Sequence, residues 1–311
     1  MILVTGGSGY VGSHIVKQMV DQGWSVRVLV RDREYAQKEG RLQGLDIEMV
    51  EGDVTNPSTL SPAFEGITAV IHTVAIAIEK KNYTYEEVNY QGTANMVEAA
   101  SGAGVSRFIN LSQLGAQADL PFRFMASKGK AQDYVSASGL DWTAFRPAVI
   151  WGPEDEFANT FAKLAPLSPI IYPIVDKDAK FQSVWVEDVA ASIVKSIDDP
   201  KTFQKEYELG GPEILTLEEI ERRTLAAVGA NRKFVALPKS ALNVLVALME
   251  TVLPNPPVTR NLLELLQVSN VTENNAISEF VEDPKSFTPE NIAPYMRQFS
   301  ARGALSQFFE S

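Results

Sequence analysis

The sequence predicts an α/β fold, in which a doubly wound parallel sheet is joined to a smaller, mostly helical C-terminal lobe. Two observations lead to this prediction. In residues 1–150, short apolar runs alternate with longer segments of helical pattern, which is typical of a parallel sheet covered by helices. Glycines at positions 6, 9 and 12 lie between the first apolar run and the first helical segment, where a phosphate-binding turn is expected.

Each predicted strand is a short apolar run, as expected for strands that are buried on both faces. The strands are predicted at Ile2–Val4, Ser25–Val30, Asp46–Val50, Ala69–Thr73, Arg107–Leu111, Trp142–Arg146 and Tyr207–Leu209. The helices are predicted at Tyr10–Gln22, Ser58–Phe64, Tyr85–Ala103 and Met125–Ser138. In a sheet of this kind the ligand lies beyond the carboxyl ends of the strands.

The pattern changes after Ile150, where several prolines interrupt a loop-rich stretch. We therefore assign residues 1–150, to which 178–200 return, to a dinucleotide-binding domain. Residues 151–177 and 201–311 are predicted to form a smaller lobe for substrate or partner, which covers the cofactor site. The most apolar helical stretch, Ala241–Leu253, is too short and too mixed to span a bilayer, and Ala301–Phe309 is either a docked helix or a tail.

Composition narrows the classes of function. The 311 residues carry a formal net charge of −11, which argues against nucleic acid as a partner. There is no cysteine, so thiolate chemistry is excluded, and with only His14 and His72 a histidine-based metal site is not expected. Because the chain starts directly on its first strand, we expect no leader peptide and a cytoplasmic protein.

The glycine-rich turn has the features that a dinucleotide requires. Gly6 permits a tight turn, Gly9 allows the backbone to approach a pyrophosphate, and Gly12 lets the helix pack closely on the strand. Tyr10 and Val11 open the following helix, whose free N–H groups face the phosphate charge. A glycine-rich turn without a ligand is the alternative interpretation.

The end of the second strand predicts NADP in preference to NAD. An NAD site needs a carboxylate about 20 residues beyond the glycines, where it binds the ribose 2′-hydroxyl. Here Arg31 stands at that place, and its guanidinium can pair with a 2′-phosphate, with help from Arg33 or Ser8. Asp32 could instead turn inward, and a solvated Arg-Asp-Arg turn is the alternative interpretation.

Two more strand ends contribute candidate cofactor contacts. Asp53 can accept a hydrogen bond from the adenine amino group, and Val54 can flank the ring, although an ordinary turn aspartate has the same pattern. Val74 and Ala75 end the fourth strand, where small apolar side chains let a cofactor pass close to the backbone.

Several motifs occur in a characteristic order along the chain. They are Thr5-Gly6-Gly7-Ser8-Gly9-Tyr10-Val11-Gly12, Gly52-Asp53-Val54, Val70-Ile71-His72-Thr73-Val74-Ala75, Val88-Asn89-Tyr90-Gln91-Gly92-Thr93, Phe145-Arg146-Pro147, Trp151-Gly152-Pro153 and Val184-Trp185-Val186-Glu187-Asp188-Val189-Ala190. Over about residues 1–215 the chain thus resembles the short-chain dehydrogenase/reductase superfamily, in its extended or atypical branch. The later motif Tyr207-Glu208-Leu209-Gly210-Gly211-Pro212 is similar to a narrower group, which includes the 39-kilodalton accessory subunit of complex I and bacterial epimerase/dehydratase-like relatives.

The resemblance implies a Rossmann-type sheet of seven strands and a catalytic tyrosine four residues before a lysine. The tyrosine passes a proton to or from the substrate oxygen, and the lysine holds the nicotinamide ribose. In this chain Lys128 occupies the lysine position, but Phe124 stands where the tyrosine is expected. Ser112 is available on the fifth strand, and Pro147 is expected beside the nicotinamide.

Two hypotheses follow from the missing tyrosine. In the first, a nearby hydroxyl has replaced it, and the protein is an NADP(H)-dependent oxidoreductase or epimerase-like enzyme. Ser112, Ser127, Tyr134 and Tyr83 are the candidates for this hydroxyl. In the second, the chain holds a nucleotide without turning it over, as an accessory or assembly subunit of a respiratory or quinone-linked complex peripheral to a membrane. The sequence does not name the small-molecule substrate of the first hypothesis.

Overall fold

A computed structural model describes residues 1–236, 268 and 270–296, except for 39, 81, 82, 168, 169 and 175. The predicted segments Ala241–Leu253 and Ala301–Phe309 lie outside the described residues. By contact clustering the chain divides into two compact units. Unit 1 comprises Met1–Pro147, Val186–Leu209 and Glu273–Asp283, and unit 2 comprises the described residues within 148–185, 210–272 and 284–311.

The returning segment differs from its predicted bounds. It was expected at residues 178–200, but the structure assigns Val186–Leu209 to unit 1 and leaves 178–185 in unit 2. The later boundary arises because the strand Lys205–Leu209 pairs with the sheet of unit 1. Glu273–Asp283 also joins unit 1, although this stretch was assigned to the lobe.

Unit 1 is built on a sheet of seven strands among the described residues, all of them parallel. The strands are β1 (Ile2–Thr5), β2 (Val26–Val30), β3 (Glu48–Glu51), β4 (Ala69–His72), β5 (Arg107–Leu111), β6 (Asp141–Pro147) and, after the short strands of unit 2, β11 (Lys205–Leu209). Their spatial order is β11-β6-β5-β4-β1-β2-β3. This confirms the predicted doubly wound α/β class.

The burial of the strands follows from their position in the sheet. β1, β2, β4 and β5 are buried along their whole length, which explains why each reads as a continuous apolar run. β3 lies at one edge and exposes Glu48 and Glu51, while β11 lies at the other edge and exposes Lys205 and Glu206. Charged side chains at the edges protect the sheet against pairing with other chains.

The helices of unit 1 are α1 (Tyr10–Asp21), α2 (Arg33–Lys38), α3 (Gly92–Gly102), α4 (Arg123–Ser136), α6 (Val186–Lys195) and α8 (Ile277–Phe280). α1 packs against α6, where His14 Nδ1 lies 2.7 Å from Glu187 Oε1. α3 packs against α4 and buries Met96 and Val97 in a cluster with Leu3 and Phe108 of the sheet.

Two predicted helices have a different local geometry. The segment Ser58–Phe64 forms two short 3₁₀ turns, Pro57–Thr59 and Ser61–Phe64, because a proline stands near the start of each. The predicted helix Tyr85–Ala103 begins with a π-helical stretch, Glu86–Gln91, before α3. A π-helical stretch of this kind is rare and frequently marks a functional site.

Unit 2 contains short paired strands and helices around an aromatic cluster. Its described strands are β7 (Ile150–Trp151), β8 (Ile171–Ile174), β9 (Lys180–Phe181), β10 (Val184–Trp185), β12 (Leu215–Thr216) and β13 (Lys233–Ala236). Its described helices are α5 (Ala158–Leu164), α7 (Leu217–Ala227) and α9 (Pro289–Met296). Trp151 and Phe181 are buried in this cluster, and Trp185 lies against Trp151 with ring centroids 4.4 Å apart.

No helix among the described residues is long and apolar enough to cross a membrane.

Candidate functional site

The turn between β1 and α1 has no room for a side chain at Gly6 or Gly12. Gly6 has φ +75°, and the amide of Gly9 donates to the carbonyl of Gly6 at 2.9 Å. A Cβ atom on Gly12 would lie 2.1 Å from the Gly6 oxygen, so α1 starts in direct contact with the turn. The predicted roles of Gly6 and Gly12 therefore have a steric basis in the backbone.

The first turn of α1 faces the site that this loop creates. Gly9 precedes the helix in an extended conformation, and no side chain caps the helix among the residues described. Ser8, Tyr10 and Val11 are half-buried in and after the loop. With no acidic residue in its first turn, the helix N-terminus presents its positive end to an anion.

The end of β4 forms the neighbouring wall of the loop. Thr73 Oγ1 donates to the Thr5 carbonyl at 2.8 Å, and a Cβ atom on Gly6 would lie 3.0 Å from the amide nitrogen of Val74. Val74 is half-buried and Ala75 is exposed, so both lie where the chain leaves the sheet beside the glycine loop.

The residues after β2 have separate partners. The Arg31 guanidinium lies 5.1 Å from the ring centroid of Tyr83. Asp32 Oδ1 accepts the amide of Tyr35 at 2.8 Å, so this carboxylate caps the start of α2. The side chain of Arg33 is exposed.

Arg41 lies beside the glycine loop and was not among the residues predicted for the site. Its Nη1 donates to the carbonyl of Ser8 at 3.2 Å. The signal was a basic residue just after the Gly40 turn that follows α2, but sequence spacing does not reveal which loop such a residue reaches.

Asp53 and Val54 have different surroundings in the structure. Asp53 Oδ1 accepts both the amide and the hydroxyl of Thr55, at 2.9 and 2.8 Å, and so closes a turn. Val54 is buried in the hydrophobic core, where its Cγ2 would lie 2.9 Å from a Cβ atom on Gly92. Only 5% of Val54 is exposed, and its predicted contact with an adenine ring stays a prediction.

Lys128 is a buried cation at the carboxyl end of β5. Its side chain comes from α4, and Nζ donates to the Leu111 carbonyl at 2.6 Å. Only 6% of the residue is exposed, and burial lowers the pKa of its ammonium group from 10.5 to about 8. No carboxylate among the described residues forms an ion pair with it.

Ser112 follows Leu111 directly and is 5% exposed. Its backbone amide donates to the Phe145 carbonyl at 2.8 Å, while its hydroxyl has no hydrogen-bond partner among the described residues. Two residues on, the amide of Leu114 donates to the carbonyl of Pro147, the last residue of β6. These bonds hold the loop after β5 along the end of β6.

Phe124 cannot supply the proton that the superfamily's tyrosine would supply. Its ring meets that of Tyr85 edge to face, with centroids 5.6 Å apart. The Tyr85 hydroxyl donates to the Ala77 carbonyl at 2.8 Å. The position four residues before Lys128 is therefore held by aromatic packing.

The other candidates, Ser127, Tyr134 and Tyr83, make contacts elsewhere in the structure. Ser127 Oγ donates to the Phe124 carbonyl at 2.7 Å and accepts from Asn89 Nδ2 at 3.1 Å. The Tyr134 hydroxyl donates to Glu98 at 2.8 Å at an exposed position. Tyr83 lies under Arg31. Of these four candidates, Ser112 is the one whose hydroxyl is buried without a partner in the described part of the chain.

A buried hydrogen-bonded chain connects β1, β4 and α3 beneath the site. Thr93 Oγ1 donates its proton to the Asn89 carbonyl at 2.7 Å, so His72 Nε2 must carry a proton to donate to Thr93 at 3.0 Å. His72 Nδ1 then accepts from Thr5 Oγ1 at 2.6 Å. Burial, and secondarily Lys128, lower the pKa of His72 to about 3, so the ring is neutral.

Together these features fit a nicotinamide dinucleotide. The loop excludes side chains from the space beside α1, Lys128 offers a buried ammonium, and Ser112 offers an orphaned hydroxyl. A glycine loop between a strand and a helix, beneath the carboxyl ends of a parallel sheet, defines a dinucleotide-binding protein.

The comparisons with known proteins agree with this class. A family model described as NAD(P)H-binding matches residues 6–200. The chain therefore belongs to this NAD(P)H-binding family, and to the extended, atypical branch of the short-chain dehydrogenases/reductases. Its ligand is a nicotinamide nucleotide.

The relatives include both enzymes and subunits of complexes. The chain is 30% identical over 250 residues to a ceramide reductase of Caulobacter vibrioides, covering 80% of this chain and 77% of the relative. It is 27% identical over 284 residues to a mitochondrial NADH dehydrogenase [ubiquinone] 1 alpha subcomplex subunit 9 of Arabidopsis thaliana, covering 89% and 70%. The fold is also that of an NADPH-dependent quinone oxidoreductase of Escherichia coli, with a TM-score of 0.72, 18% identity and full coverage of both chains.

Proposed function

We propose that this protein is an NADP(H)-dependent reductase. In place of the missing tyrosine, Ser112 donates a proton to the substrate and Lys128 returns a proton to Ser112. The observation that carries the proposal is the buried Lys128 ammonium, which has no carboxylate partner in the described chain. It donates to the carbonyl of Leu111, the residue directly before Ser112, whose buried hydroxyl has no partner among the described residues. A buried, unpaired charge destabilises a folded protein, so its presence here favours a role in ligand binding.

The chemistry assigned to each residue follows from its protonation state. When bound, the nicotinamide supplies a hydride from C4 to a carbonyl carbon of the substrate. The carbonyl oxygen then needs one proton to become an alcohol, and Ser112 is the hydroxyl that we expect to give it. With a pKa of about 8, Lys128 is mostly protonated at neutral pH and can return a proton to Ser112. An epimerase-like reaction would use the same groups in both directions.

The preference for NADP over NAD is part of the proposal. Arg31 provides a cation at the end of β2, whereas the Asp32 carboxylate caps the N-terminus of α2. A carboxylate in this position would favour the ribose 2′-hydroxyl of NAD, but here it already serves the helix. Arg33 and Ser8 remain as further candidate contacts, and Asp53, Val74, Ala75, Tyr10, Val11 and Pro147 as contacts to the rest of the nucleotide.

A second candidate function is a nucleotide-holding accessory or assembly subunit, peripheral to a membrane complex. Phe124 favours it, because no proton donor stands four residues before Lys128. The likeness to a subunit of a respiratory complex points the same way. In this alternative Lys128 and the glycine loop would hold the nucleotide as a structural ligand.

A single-turnover experiment tests the first proposal against the second. The protein is loaded with NADPH and mixed with a panel of aldehydes, ketones and quinones, and oxidation of the nicotinamide is followed by its absorbance. We expect turnover with at least one compound, about 100-fold slower in Ser112→Ala at unchanged NADPH affinity. Ser136→Ala is the matched control, because that serine is exposed at the end of α4.

The variant Phe124→Tyr separates the outcomes. It restores a hydroxyl at the superfamily's position, next to the ring of Tyr85. If the parent protein leaves NADPH reduced with every compound while Phe124→Tyr oxidises it, the parent is a nucleotide-holding protein and the reductase proposal is wrong.

A further inference from the structure

Arg41 differs from the other arginines near β2 in its connection to the glycine loop. Its guanidinium donates from Nη1 to the Ser8 carbonyl, and Ser8 lies between Gly6 and Gly9 in the turn. Arg41 is half-buried, whereas Arg31 and Arg33 are exposed. A guanidinium held by a backbone carbonyl keeps its position with less loss of side-chain entropy when a ligand arrives.

The positive charge of Arg41 matters because the chain as a whole is acidic. The chain as a whole has a net charge of −11, so an anionic ligand needs local cations to offset the repulsion. Ser8 is a loop residue that we predicted from the sequence as a contact of the ribose phosphate, and Arg41 places a cation at its carbonyl. Phosphate monoesters carry almost two negative charges at neutral pH and bind well to paired guanidinium groups.

We propose that Arg41 is a specificity-determining residue for a phosphate on the adenosine ribose of the cofactor. The proposal rests on the proposed preference for NADP and names a residue that enforces it. Arg41 reaches the phosphate from the side of the glycine loop, and Arg31 reaches it from the end of β2. The Ser8 carbonyl orients the Arg41 guanidinium, so charge and loop geometry act together.

The effect of removing Arg41 depends on the 2′-phosphate. Arg41→Gln keeps a side chain that can donate to the Ser8 carbonyl but removes the positive charge. We expect the affinity for NADPH to fall by 10- to 100-fold and the affinity for NADH to change by less than threefold. Arg41→Lys keeps the charge without the planar fork, and we expect an intermediate loss of NADPH affinity.

Calorimetric titrations with NADPH, NADH, 2′,5′-ADP and 5′-ADP test the proposal on the full chain. Lys38→Gln is the matched control, because it removes the same charge from an exposed position on α2. The expected result is that Arg41→Gln weakens NADPH and 2′,5′-ADP while NADH and 5′-ADP bind as in the parent. Retained NADH binding also shows that the variant is folded and its loop intact.

Three outcomes would overturn the proposal. If Arg41→Gln and Lys38→Gln change the NADPH affinity equally, the loss reflects the net charge of the protein and not a contact of Arg41 with the phosphate. If NADPH and NADH weaken equally, Arg41 only supports the loop. In both cases a parent protein that still prefers NADPH leaves the proposed cofactor preference standing. If instead the parent itself binds NADH as tightly as NADPH, the cofactor preference fails and the role of Arg41 fails with it.

Discussion

Replacing Lys128 by methionine should make the nucleotide-free protein more stable and should weaken its affinity for the nucleotide. Lys128 is a buried cation with one hydrogen bond, to the Leu111 carbonyl, so folding removes its ammonium from water with little compensation. Methionine has a similar length and no charge to bury. The same ammonium is the group that we expect to hold the nicotinamide ribose.

The magnitude follows from the pKa of Lys128, which burial lowers from 10.5 to about 8. At about 1.36 kcal/mol per pH unit, this destabilises the folded state by roughly 3 kcal/mol at pH 7. Below pH 8 the lysine is charged in both states, and the full penalty applies. Between pH 8 and 10.5 the folded state loses its proton first, so the penalty declines and is absent above pH 10.5.

The assay is urea unfolding without nucleotide, at pH 7 and at pH 10. At pH 7 we expect Lys128→Met to be more stable than the parent by roughly 2 kcal/mol, since about 1 kcal/mol is lost with the hydrogen bond to Leu111. At pH 10 the gain should largely disappear. Lys130→Met is the control, because Lys130 is exposed and paired with Glu86.

The same preparations are then titrated with NADPH, for which we expect at least a tenfold loss of affinity in Lys128→Met and none in Lys130→Met. A Lys128→Met protein that is less stable than the parent at pH 7, or that binds NADPH as the parent does, would refute the reasoning.

Three further predictions concern the loop and the buried ionisable groups. Gly12→Ala places a Cβ atom 2.1 Å from the Gly6 oxygen, so calorimetry should show at least a 100-fold loss of NADPH affinity, whereas Gly102→Ala, which enters open space, should bind normally. Glu221 in unit 2 is 4% exposed, and burial raises its pKa to about 9, so folding stability should fall as pH rises from 4.5 to 9. In urea unfolding, the free energy of unfolding of Glu221→Gln should therefore exceed that of the parent by about 1–3 kcal/mol at pH 8 and equal it at pH 4. An equal difference at both pH values would contradict this. Arg107→Met removes five hydrogen bonds from a buried guanidinium and should lower the free energy of unfolding by about 3–5 kcal/mol, and a loss under 1 kcal/mol would show that these bonds contribute little.

The sheet was predictable because its strands are short and buried on both faces. β5 was predicted with the observed bounds, Arg107–Leu111, and the other strands differ by one or two residues at their ends. Helix α2 was missed, because the six residues Arg33–Lys38 contain a single buried side chain and show no clear periodicity. The π-helical stretch Glu86–Gln91 has the apolar pattern of an ordinary helix, so its geometry could not be inferred.

The candidate site was predictable where local geometry decides it. The glycine loop and the pair Phe124 and Lys128 are set by short spacings in the chain. Contacts between distant segments were not predictable: Arg41 meets Ser8 across 33 positions, and the Leu111 carbonyl meets Lys128 across 17. The burial of Val54 was not predictable either, because a position at a strand end does not reveal whether the side chain enters the core.

Binding of a nicotinamide dinucleotide at the glycine loop of unit 1, with the proposed preference for NADP(H), underlies all of these predictions. Titrating the purified protein with NADPH, while following the fluorescence of the reduced nicotinamide, tests it directly. We predict a saturable change at one nucleotide per chain, tighter than with NADH and absent in Gly12→Ala. No saturable signal with either nucleotide, or an unaltered signal in Gly12→Ala, would contradict it.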